Sequence, residues 1–166
     1  MKIQALLLFL LFAVACTEQD KPAEDRSATA INQAFLDNTE FDPEMAKMSG
    51  ADEYGMKMYV MAFLKRGPNR DLDSARAAEL QRAHLDNIGK MAEQGKLVLA
   101  GPFGGNGDLR GIYVFDVETV EEAEALTNSD PAIVEGSLEM ELIPWYGSAG
   151  LVFIGDLHRK VGENPI

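Results

Sequence analysis

The sequence predicts an α+β domain: a ferredoxin-like β-α-β-β-α-β protomer, an antiparallel sheet with both helices on one face. Three observations predict it. Four apolar runs of strand length stand at 58–64, 96–101, 111–117 and 137–145. Stretches with helix start signals separate the first run from the second and the third from the fourth, whereas a Gly-rich turn alone joins the middle two. That alternation is the split β-α-β pattern, in which the strand between the two crossovers returns as a hairpin.

The first strand, Met58-Tyr59-Val60-Met61-Ala62-Phe63-Leu64, is apolar throughout and stops at the breaker cluster Arg66-Gly67-Pro68-Asn69. Asp73 or Ser74 then caps a helix over 75–94, and Gly95 ends it in the position that favours a left-handed residue. Lys96-Leu97-Val98-Leu99-Ala100-Gly101 is the second strand, and Gly104-Gly105-Asn106-Gly107-Asp108 turns the chain back. The third strand, 111–117, is rich in β-branched and aromatic residues. Thr119 with Glu122 three residues on forms a capping box for a helix reaching about residue 126. Asp130-Pro131 opens a further helical turn with proline at its first position. In the fourth strand Leu138, Met140 and Leu142 alternate with Glu139 and Glu141. The first three strands, by contrast, are apolar on both faces: Tyr59, Met61 and Phe63 oppose Met58, Val60 and Ala62, and Tyr113 and Phe115 oppose Ile112 and Val114. One set packs on the helices. The other is a bare apolar face, and a second copy related by two-fold symmetry is its economical cover, so a homodimer is expected.

The N-terminus carries the information on location. Lys2 precedes an apolar stretch broken only by Gln4, and Ala13-Val14-Ala15 leads into Cys16, the single cysteine of the chain. The apolar core is about 10 residues, too short to span a membrane, and matches a secretory signal. Cys16 after small residues reads as a lipid acceptor. The expected organisation is a lipoprotein signal and anchor cysteine at 1–16, an acidic tether at 17–50, the domain at 51–149 and a C-terminal extension at 150–166. The expected location is the bacterial cell envelope, with the protein exported and lipid-anchored. Net charge −12 and a pI near 4.5 argue against nucleic acid and against a polybasic membrane patch, leaving the lipid as the one membrane contact.

Few residues carry candidate chemistry. His84 lies mid-helix with Leu80 and Ile88 four residues to either side, so its ring faces the sheet. It is either a buried histidine satisfied by a backbone carbonyl or a functional group. Asp130 before Pro131 is a natural N-cap, which by itself explains it. The glycines after Gly101-Pro102 fit no phosphate-loop pattern. Two histidines, His84 and His158, in different contexts and no Cys/His cluster give no metal site, and no cofactor is expected.

Several of these residues form one pattern. It comprises Arg82-Ala83-His84-Leu85, Glu93-Gln94-Gly95-Lys96-Leu97, Ala100-Gly101-Pro102, Gly111, Thr119-Val120-Glu121-Glu122-Ala123, Ser129-Asp130-Pro131-Ala132 and Ile143-Pro144-Trp145. In this order and spacing, residues 57–146 resemble the YCII-related (YciI-like) family of the dimeric α+β barrel superfamily. The resemblance implies a ferredoxin-like protomer, a homodimer forming a dimeric α+β barrel, and an active-site pair made of His84 and Asp130. A carboxylate beside an imidazole fixes its tautomer, and histidine moves protons near neutral pH. The implied function is acid-base chemistry on a small polar organic molecule. A non-catalytic binding or sensing module is the alternative, followed by a haem-handling barrel with His84 as axial ligand. A lipid anchor would be a departure from the usual members.

Overall fold

The computed structural model describes residues 40–163. The expected leader, Cys16 and the expected tether as far as residue 39 lie outside the described residues. The compact unit containing the domain starts at Asp42, inside the stretch expected to be tether. There the Asp42 carboxylate accepts from Glu44 and Met45 N–H at 2.9 and 3.0 Å and caps a short helix α1 (Pro43–Ser49), closed by Gly50 at φ 71°. Aspartate before a first-turn proline, and glycine after the last turn, are the punctuation of a helix even in a polar segment.

The domain then runs β1 (Met56–Arg66), α2 (Ser74–Glu93), β2 (Leu97–Pro102), β3 (Leu109–Phe115), α3 (Val120–Thr127), α4 (Pro131–Val134) and β4 (Leu138–Ser148). A 3₁₀ segment (Ala149–Phe153) and α5 (Ile154–Val161) follow, so the expected C-terminal extension is helical. The sheet order is β2-β3-β1-β4, and each of the three neighbour pairs is antiparallel. This is the ferredoxin-like α+β arrangement.

Local chemistry sets the helix ends. The Asp73 carboxylate accepts from Ala75 and Arg76 N–H, both at 2.9 Å, and Gly95 stands at φ 69° one residue after the cap. Thr119 Oγ1 accepts from Glu122 N–H at 3.2 Å, while the Glu122 carboxylate accepts from Glu118 N–H at 3.4 Å, one residue earlier than a standard capping box.

Side-chain alternation divides the sheet. Val60, Ala62 and Leu64 of β1, with Tyr113 and Phe115 of β3, meet Met91 of α2 and Ala123 of α3 in the core. Leu138, Met140 and Leu142 of β4 complete that side, and Glu139 and Glu141 stay exposed as their alternation requires. The opposite face carries Tyr59, Met61 and Phe63, set against Trp145, Ile143 and Glu141 of β4 by the register. Tyr59 and Trp145 rings lie 5.9 Å apart. The chain itself closes one corner of this face: the Tyr59 hydroxyl is 3.1 and 3.3 Å from the carbonyls of Ser148 and Ala149, and Tyr59 is buried. Further along, Met61, Phe63, Ile112 and Trp145 are half-buried and Ile143 is exposed.

Candidate active site

Helix α2 brings His84 over β3, and α4 brings Asp130 to His84 from the other side. The first step is local. Asp130 is the N-cap of α4, its Oδ1 accepting the Ala132 N–H at 2.9 Å. A cap of this kind uses one carboxylate oxygen. The other, Oδ2, lies 2.6 Å from His84 Nδ1. Asp130 is fully buried and His84 is 7% exposed, so the contact is shielded from solvent screening. Asp130 N–H donates to the Thr127 carbonyl at 3.0 Å, which fixes the backbone on the approach to the cap. A second polar link holds the same elements together: Ser129 Oγ is 3.2 Å from Asn87 Oδ1, one turn beyond His84 on α2.

The other ring nitrogen is also engaged. Tyr113 on β3 places its hydroxyl 3.2 Å from His84 Nε2, and the two rings stack at 6.1 Å with 22° between planes. Burial holds the Tyr113 hydroxyl well above the ordinary tyrosine range, and the negative charge of Asp130 adds to the effect. The phenol therefore stays protonated. An ionised carboxylate only accepts, so Nδ1–H donates to Asp130, and in the neutral ring the Tyr113 O–H then donates to Nε2. Phe115 packs edge-on against Tyr113 with centroids 5.7 Å apart, which locks the phenol in place. Among the described residues, no buried side-chain nitrogen or oxygen lacks a partner.

Such a triad can do two things. It can hold the imidazole in one orientation, and it can move a proton at Nε2, since Asp130 stabilises the ring when it becomes charged. The 2.6 Å bond is the short, charge-assisted one; the 3.2 Å bond lies at the long end of the range, so a substrate group is better able to replace Tyr113 than Asp130. An axial bond from His84 to haem iron would have to break one of the two. His158 lies exposed on α5 away from any such network, and among the described residues no group of three or more His, Cys, Asp or Glu is placed to hold a metal.

The sequence pointed to His84 and Asp130 and missed Tyr113. The signal for Tyr113 was its parity: on the helix side of β3 a phenol needs a polar partner, and a helix histidine can supply one.

A family model described as YCII-related domain matches residues 58–146. Among solved structures, 5-chloro-2-hydroxyhydroquinone dehydrochlorinase from Burkholderia phenoliruptrix AC1100, in complex with 2,5-dihydroxybenzoquinone, is similar at 19% identity and a TM-score of 0.40, over 54% of this chain and 93% of that chain. No curated protein matches the chain.

Proposed function

The chain belongs to the YCII-related family, and on that premise we propose that His84, oriented by Asp130, is a general acid-base centre acting on a small polar organic molecule. One observation carries the reading. A fully buried carboxylate is placed 2.6 Å from a slightly exposed imidazole, by a helix turn whose cap uses only the other oxygen. A buried charge is costly unless paired, and here its partner is an imidazole, whose second nitrogen offers a path for a proton. Proton transfer through Nε2 would proceed after the substrate displaces the Tyr113 hydroxyl, with Asp130 stabilising the imidazolium. General acid-base catalysis of this kind contributes ~10²–10⁴-fold.

The test is solvent deuterium exchange into the carbon acids of a panel of small keto acids and lactones, followed by proton NMR. Wild-type protein should accelerate exchange in at least one compound that binds, and His84→Ala should remove the acceleration while binding persists. Binding without accelerated exchange anywhere in the panel would leave a binding or sensing module and end the catalytic reading.

The setting proposed for this centre is an exported homodimer anchored through Cys16. The half-buried apolar residues Met61, Phe63, Ile112 and Trp145 on the sheet face opposite the core support the dimer, and the short apolar leader ending at Cys16 supports the anchor.

A further inference from the structure

A cavity of about 280 Å³ is lined by residues of α2, α4, β1, β3 and β4. Its apolar wall includes Leu80, one turn before His84 on α2, together with Ala132 and Leu138. Ala132 is the residue whose N–H is held by Asp130. Three arginines, Arg66, Arg70 and Arg110, also line it. They come from the end of β1, the loop after it and the start of β3.

Three arginines at one cavity are unexpected in a chain of net charge −12. Their partners are mainly carbonyl oxygens. Arg70 Nη1 donates to Ser137 at 3.1 Å and Gly67 at 3.5 Å, Arg110 Nη1 to Gly107 at 3.4 Å and Gly105 at 3.5 Å, and Arg66 Nη2 to Asn106 at 3.1 Å. The one carboxylate is Asp108, almost fully exposed and 3.8 Å from Arg66 Nε. Lys57, Lys65 and Arg76, by contrast, each pair directly with a carboxylate. A carbonyl orients a guanidinium without neutralising it, and each guanidinium has five N–H donors, so donors and charge remain for a ligand. A cavity with an apolar wall and a few convergent polar groups is the usual form of a small-molecule site.

We propose that this cavity is an oxyanion subsite. It takes the carboxylate or phosphate of a small organic acid, with the apolar body of that molecule lying along Leu80 and Ala132 towards His84. The subsite stands on the arginine geometry alone; its assignment to the substrate of the His84 centre rests on the acid-base reading above.

The probes are benzoate, phenyl phosphate and the neutral benzamide, titrated into the purified full chain at low salt and followed by amide NMR shifts. Benzoate or phenyl phosphate should saturate shifts at Arg66, Leu80 and Leu138, and the tighter of the two identifies the oxyanion. Benzamide should bind about tenfold more weakly or not at all, the loss expected when charge-assisted hydrogen bonds are removed. Arg110→Gln removes a guanidinium, and Gln81→Glu places a negative charge at the cavity without removing any arginine; each should weaken the anion about tenfold with an unchanged melting temperature. Anion binding that survives His84→Ala keeps the subsite even if the catalytic reading fails. Benzamide binding as tightly as benzoate, or both charge variants binding the anion like wild type, would overturn the proposal.

Discussion

Replacing Asp130 separates the two roles that its carboxylate combines. In Asp130→Asn one oxygen remains to accept the Ala132 N–H, and asparagine is nearly as good an N-cap as aspartate. The amide nitrogen then occupies the place of Oδ2, 2.6 Å from His84 Nδ1. Two N–H groups cannot face each other there. The neutral imidazole must become the Nε2–H tautomer, accepting at Nδ1 and donating to the Tyr113 oxygen. A charge-assisted bond worth about 1.5–3 kcal/mol is exchanged for a neutral one worth about 0.5–1.5, a net loss of about 1 kcal/mol. Asp130→Ala has no such escape. It loses the cap, about 1 kcal/mol, and leaves the buried Nδ1–H unsatisfied, a further 1–3 kcal/mol or so, giving roughly 3 kcal/mol in total. Urea denaturation measures both losses. Nitrogen-15 shifts of the His84 ring measure the tautomer, which should be Nδ1–H in wild type and reversed in Asp130→Asn. A loss of about 1 kcal/mol in Asp130→Ala with none in Asp130→Asn, and ring shifts that move in neither, would refute the reasoning: Asp130 would then be a cap and nothing more.

Three other outcomes are expected. The soluble domain should sediment as a dimer at micromolar concentration, through an interface of about 800 Å² per partner, and Phe63→Asp should yield monomer or aggregate; a wild-type monomer would remove the dimer. Alkaline stability should fall from about pH 10 upward. Burial and the nearby Asp116 push Tyr59 up to about 12, and burial raises Tyr113 further. The unfolded chain therefore loses these protons first, and the stabilisation is complete below about pH 10 and declines by about 1.4 kcal/mol per pH unit per tyrosine above it. Tyr113→Phe should flatten that decline in urea melts at about pH 10 to 12, the window these values open. In a bacterial host, Cys16→Ser should move the protein from the detergent-requiring membrane fraction to the soluble exported fraction, and a wild-type protein soluble without detergent would dismiss the anchor.

Most elements were legible because their ends are written in single residues. Asp73, Gly95, Thr119 and the Asp130-Pro131 step each mark a boundary within two residues of its place in the structure. Helix α1 carries the same punctuation, Asp42-Pro43 and Gly50, yet lies within the expected tether. It shows the core no apolar stripe: its one buried residue is Ser49. The fourth strand runs past its expected end at Trp145. In the structure β4 continues to Ser148, pairing Tyr146 with Met58 and Ser148 with Met56. Gly147 is there because the Trp145 ring lies over it, and a Cβ would come within 2.3 Å of that ring. The arginine cavity was not legible at all. It forms only when the register sets Arg66 beside Leu138 and Lys65 beside Leu109, and pairing of that range leaves no local trace.

The pair itself shows how far local signals reach. His84 and Asp130 each stood out alone, one as a titratable ring on an apolar helix face, the other as a cap. Their meeting across 46 residues was implied by family resemblance and not by any spacing. The structure supplies a physical link between the two descriptions. Helix α4 has four residues, far too few to be stable by itself. Its formation depends on the cap, on Pro131 and on burial of Ala132. Those constraints fix the carboxylate plane, because Oδ1 must meet the Ala132 N–H. With Oδ1 fixed, Oδ2 has one direction left, and α2 places His84 along it. The capping role therefore does not compete with the functional one. It holds the second oxygen within the few tenths of an ångström that an oriented imidazole requires, so a short helix that contributes little to the core acts as the positioning device for the site.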